Sequence, residues 1–143
     1  MGIPKGAKTI SREFARSIVR RKWAEMRPLC STALQAQRSV DELATEFGWD
    51  QLGPRIRQLE ADRTGEPIEA VPLYDPPRRF EVFEVEERDP PPGHDPAVRV
   101  GWVEVDFAPA EDSEFDYCYN CFLAIIDEDG PKISAYVIES ATE

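Results

Sequence analysis

The stretch EPIEAVPLYDPPRRFEVFEV, residues 66–85, divides the chain into two kinds of sequence. Pro67, Pro72, Pro76 and Pro77 lack amide donors and fix φ, so they forbid helix and predict an extended connection over 67–78. From Arg79 onward β-branched and aromatic residues take over, separated by turn-rich joints. Upstream of the prolines the apolar residues instead recur at helical spacing. The expected fold class is therefore α+β, with a helical unit over 1–66 packed on, or tethered to, a four-stranded antiparallel sheet over 79–143.

Working back from the connection, Phe14, Ala15, Ile18, Val19, Trp23 and Met26 recur at steps of three and four. They predict a helix from Arg12 to Arg27, with Thr9 or Ser11 as its cap. Leu29 to Gln37 reads as a further short helical turn. Ser39-Val-Asp-Glu42 is a capping box ahead of Leu43, Ala44 and Phe47, with Gly48 placed as the residue that ends the helix. Pro54 suits the first turn of a last helix that buries Leu52, Ile56 and Leu59 and stops before Thr64 and Gly65. Three to four helices result.

Working forward, strands are expected over 79–87, 98–107, 114–126 and 132–139. Their short connections favour an antiparallel meander. In the third strand Phe115, Tyr117, Tyr119, Cys121, Leu123 and Ile125 share the face that must be buried. The first strand changes phase between Val82 and Phe83, which predicts a bulge. Its Glu81, Glu84, Glu86 and Glu87 oppose unwanted pairing along an edge.

The chain has 143 residues and a net charge of −11, but the charge is unevenly spread. Residues 1–67 carry 12 Lys and Arg against 9 Asp and Glu, whereas residues 68–143 carry 5 against 19. Such a map implies charged partners, or one half docking on the other. No apolar run approaches the ~18 residues that cross a bilayer, so no membrane partner is expected. Cys30, Cys118 and Cys121 make too small and too odd a set for a disulfide framework, which fits a reducing cytoplasm.

Motifs with chemistry are sparse. Cys118 and Cys121 form a C-x-x-C that, with Cys30 and His94, offers four zinc-type ligands. In a regular strand residues three apart point to opposite faces, so the reading is no metal and no cofactor. His94 lies in a proline-rich loop that orients a general base poorly. No Walker loop, G-x-G-x-x-G, G-x-S-x-G or H-E-x-x-H is present, and no catalytic residue is nominated. Leu43, Ala44 and Gly48 resemble the first helix and turn of a helix-turn-helix. Pro54 stands where that motif carries a small β-branched residue, and Arg55, Arg57 and Arg63 are offset by Glu60 and Asp62.

The acidic sheet remains as the main functional candidate. Its carboxylates run over Glu81, Glu104, Asp106 and Glu111, and the partner-binding set nominated from them is Glu84, Glu86, Glu87, Asp112, Glu114 and Asp116. Rows of carboxylates on a rigid sheet imitate nucleic-acid phosphates or cap a basic cleft. Small acidic α+β proteins of this style occur among bacterial immunity proteins, antitoxins and phage inhibitors, an analogy of class only. The expected function is a non-enzymatic cytoplasmic binding protein, bacterial or phage, that occludes a basic protein partner. One alternative assigns the work to nucleic-acid binding by Arg16, Arg20, Arg21, Lys22 and Arg27. A second alternative is a structural subunit, as in a phage particle, whose opposite charges pair between copies; the sequence leaves the oligomeric state open.

Overall fold

The fold comes from a computed structural model that describes residues 3–86 and 88–140. Five helices precede four strands: α1 Ala7–Arg20, α2 Trp23–Met26, α3 Thr32–Gln37, α4 Val40–Phe47, α5 Trp49–Thr64, then β1 Arg79–Val85, β2 Val100–Ala108, β3 Tyr119–Asp127 and β4 Pro131–Ser140. The strands form one antiparallel sheet in the order β1-β2-β3-β4. The α+β architecture of helices followed by a four-stranded meander is thus the one the sequence implies.

Several local expectations are corrected. Neither Thr9 nor Ser11 caps α1: the helix starts at Ala7 behind Gly6, and the buried Ser11 hydroxyl donates back to the Ala7 carbonyl at 2.7 Å. The helix does not run to Arg27. It closes at Arg21, whose φ of 57° is left-handed and lets the Lys22 amide donate to the Ser17 carbonyl at 2.8 Å. Ser39 and Glu42 do form a capping box, with both bonds at 3.1 Å. Gly48 ends α4 with extended rather than left-handed backbone, and it also caps α5. A Cβ there would lie 2.5 Å from the Ala44 carbonyl oxygen, so close approach is what requires glycine. Pro54 falls inside α5 rather than in its first turn, because that helix already begins at Trp49.

In the sheet, β1 pairs with β2 in unbroken register, so the expected bulge is absent there; the irregularity lies between β3 and β4, at Ala124 and Ile125. Tyr119, Cys121, Leu123 and Ile125 are buried as expected, but Phe115 and Tyr117 precede the strand and are half-buried. They pack instead on Tyr74, with ring centroids 4.9 and 5.4 Å away.

One face of the sheet carries the core. Phe14, Ile18, Leu43, Phe47, Leu52 and Ile56 of the helices and Val103, Val105, Phe107, Tyr119, Leu123 and Ile133 of the strands form a single hydrophobic cluster. Phe14 meets Phe47 edge to face at 5.7 Å, and Phe47 meets Tyr136 at 4.9 Å. Gly101 is the point where the N-terminal segment lies on the sheet, since a Cβ there would be 2.7 Å from Ile3 and Pro4. Polar side chains tie helix to sheet: the buried Glu60 accepts from the Tyr74 hydroxyl at 2.6 Å and pairs with Arg63, which donates to Ser140 at 3.1 Å. At the β3–β4 hairpin, Glu128 accepts from the Thr32 amide and hydroxyl at the start of α3.

Candidate functional site: an acidic groove on the open face of the sheet

Side chains alternate across a strand, so the residues between the core positions face away from the helices. On β1 these are Glu81, Phe83 and Val85, and on β2 they are Trp102, Glu104 and Asp106. Register places Glu81 opposite Asp106 and Phe83 opposite Glu104, while Asp106 lies opposite Asn120 of β3. The 109–118 loop closes one end. It is pinned by the Ser113 hydroxyl to Asp75 at 2.6 Å and by the Cys118 amide to the Phe107 carbonyl at 2.9 Å, which fixes Asp116 and Tyr117 at the groove mouth. The result is a groove of about 330 Å³ lined by Glu81, Glu104, Asp106, Asp116, Tyr117 and Asn120, with Arg79 on its rim.

Four carboxylates and one guanidinium, that of Arg79, line this groove, so carboxylates outnumber cations there. Burial raises the Asp106 carboxyl from its ordinary value near 3.8 to about 7, reinforced by a hydrogen bond with the Glu104 carboxyl and by the charges of Glu104 and Glu81. With its amide nitrogen turned toward the acid, Asn120 donates to Asp106 Oδ1 at 3.2 Å. Arg79 spends its Nε–H on the Pro109 carbonyl at 2.8 Å. Among the described residues the ion pairs join Arg38 to Glu46, Arg63 to Glu60 and Arg88 to Glu139, so none involves a carboxylate of the groove.

The nominated acidic set is divided by the fold. Glu84 lies opposite Val103, on the helix side at the far end of β1, and Glu86 follows just beyond. Asp112, Glu114 and Asp116 are exposed in the loop at the other end. Six strand steps, about 20 Å, separate the two groups. Glu87 lies outside the described residues. What joins the ends is Glu81, Glu104 and Asp106, which the nomination omitted although two-residue alternation on β1 and β2 is the signal that selects them.

The basic residues are divided as well. Arg16, Arg20 and Lys22 line one groove of about 480 Å³ with Glu13 and Glu25. Arg21 instead borders a cleft beside Trp23 and Trp49. Arg27 is held inside the helical unit, donating to the carbonyls of Gln35 at 2.8 Å and Arg38 at 2.9 Å.

The cysteines are buried and reduced, and each is separately placed. Cys118 donates to the Asp75 carbonyl at 3.0 Å, and Cys30 sits over the Met26 carbonyl. Burial pushes the Cys30 thiol up to about 11 and the Cys118 thiol to about 12, and raises Cys121 further. A ring nitrogen of His94 is bonded to the Val98 carbonyl within its own loop. Among the described residues no group of three His, Cys, Asp or Glu side chains is arranged to hold a metal ion. No described helix is long and apolar enough to cross a membrane.

No protein-family model, curated protein or solved structure matches the chain.

Proposed function

We propose that this chain is a small non-enzymatic binding protein of bacterial or phage origin, working in the cytoplasm, that uses the open acidic face of its sheet to occlude a basic protein. The observation that supports it most is the convergence of Glu81, Glu104, Asp106 and Asp116 on one groove that Arg79 also lines, with none of these four carboxylates in a described ion pair. Carboxylates held on a rigid sheet keep their spacing without paying side-chain or loop ordering at encounter, and they steer a basic partner by long-range attraction.

The test is capture from nuclease-treated host lysate by the full-length tagged chain and by two reversal variants. A stoichiometric basic protein is expected with the wild type and with Arg16→Glu/Arg20→Glu, and is expected to be lost with Glu81→Lys/Asp116→Lys. Capture that survives the acidic reversal refutes the proposal. The convergence of Arg16, Arg20 and Lys22 on one groove favours a second reading, nucleic-acid binding. Its signature is co-purified nucleic acid that vanishes with nuclease and with the basic reversal, and binding that weakens steeply with salt. Because the core is shared between helices and sheet, both readings are tested on the whole chain rather than on residues 1–66.

A further inference from the structure

A four-stranded meander has two edges, and this one treats them differently. Along β4 the edge is occupied near its start: Cys30 bridges to Ile133 in parallel fashion, and the Ser31 amide donates to the Ile133 carbonyl at 2.8 Å. Along β1, among the described residues, no backbone group other than those of β2 is hydrogen-bonded to the strand. Arg79–Val85 is therefore an edge strand without proline or bulge, in which the amides and carbonyls of alternate residues point away from β2 and are unpaired. An edge of this kind is a template for another strand.

Its side chains specify the strand that fits. Glu81 points to the open face and Glu84 to the helix side; both are exposed, and no described cation pairs with either. Between them Phe83 is 44% exposed. Opposite charges facing each other across two strands stabilise the pair, as do apolar residues facing aromatic ones. We propose, building on the acidic-face reading above, that β1 accepts an extended basic segment of the partner as a fifth strand. That segment carries Lys or Arg opposite Glu84 and Glu81 and apolar residues opposite Phe83 and Val82. A second copy of this chain is disfavoured as occupant by the net charge of −11 that each copy carries. Backbone bonding along the edge supplies affinity, and the alternating carboxylates supply selectivity.

The probe is a blocked octapeptide, Lys-Val-Lys-Phe-Val-Lys-Val-Thr, which places lysine opposite Glu86, Glu84 and Glu81 in an antiparallel alignment. Two controls accompany it: the same peptide N-methylated at alternate residues, and a scrambled peptide of equal charge. Binding to the full-length protein is followed by fluorescence anisotropy, and the site by amide exchange of backbone-labelled protein. The expected result is at least tenfold tighter binding of the unmodified peptide than of either control, with slowed exchange confined to Phe80–Val85. Glu81→Lys/Glu84→Lys is expected to cost about tenfold, because two attractive cross-strand pairs become repulsive. Equal binding of native and N-methylated peptides, with shifts at Glu104, Asp106 and Asn120, overturns strand addition and leaves the acidic-face reading standing. No binding of any basic peptide, together with partner capture unaffected by Glu81→Lys/Asp116→Lys, removes both. Self-association that slows exchange at β1 in the absence of peptide also overturns it, making a second copy the occupant.

Discussion

Tyr119→Phe is expected to stabilise the protein. Tyr119 is fully buried, and its hydroxyl has no hydrogen-bond partner among the described residues. The surroundings are apolar: its ring stacks on Phe107 at 4.7 Å and on Trp49 at 6.1 Å, and burial beside Cys121 and Cys118 holds the phenol well above its ordinary pKa of 10. A buried hydroxyl without a partner costs about 1–3 kcal/mol. Deleting the oxygen leaves a void of ~15 Å³, worth about 0.4 kcal/mol. Both stacks are kept, so the net gain is about 1 kcal/mol. Urea unfolding followed by tryptophan fluorescence is the assay, with an expected rise of ~0.5 M in the midpoint at unchanged slope. A lowered midpoint refutes the reasoning, because it means that the hydroxyl has a bonding partner, protein or ordered water, that the phenylalanine gives up.

Tyr74→Phe makes the same chemical deletion with the opposite sign: the Tyr74 hydroxyl donates to the buried Glu60 at 2.6 Å, and its loss is expected to cost about 1.5–3 kcal/mol in the same urea assay. Asp106 gives a pH dependence. Its carboxyl lies near 3.8 when unfolded and about 7 when folded, so the folded state holds the extra proton and stability declines as pH rises from 4 through 7; Asp106→Asn is expected to flatten that decline in urea midpoints taken at pH 5 and pH 8. The three buried thiols are expected to resist a disulfide reagent at pH 8 and to react fully in urea, and a stoichiometric fast-reacting thiol in the folded protein contradicts this.

The parts of the fold that were legible are those written in local chemistry. The Ser39–Glu42 box sets the start of α4 by two short-range bonds, and the alternation through Tyr119, Cys121, Leu123 and Ile125 names the buried face of β3. What was not legible is fixed by tertiary contact. Arg21 carries a left-handed backbone with no glycine to announce it. The early start of α5 is secured by Trp49, whose indole donates to the Tyr74 carbonyl at 3.2 Å and lies against Gly53, where a Cβ would be 3.1 Å from the ring. On the acidic face the fold groups the carboxylates differently from their order in the sequence. A one-dimensional reading gathers carboxylates by density, which favours the loop at Asp112 to Asp116, whereas the groove depends on cross-strand register between Glu81 and Asp106.

The shared core also sets a schedule for the chain as it leaves the ribosome. Helix α1 packs on β1, β2 and β4, and the segment at Cys30 has its bridge at Ile133. Phe14, Ile18, Leu43 and Phe47 therefore emerge, on a positively charged stretch, well before the strands that shelter them are translated. Throughout that interval the nascent helices expose apolar surface that only the later strands, residues 131–140 last among them, can cover.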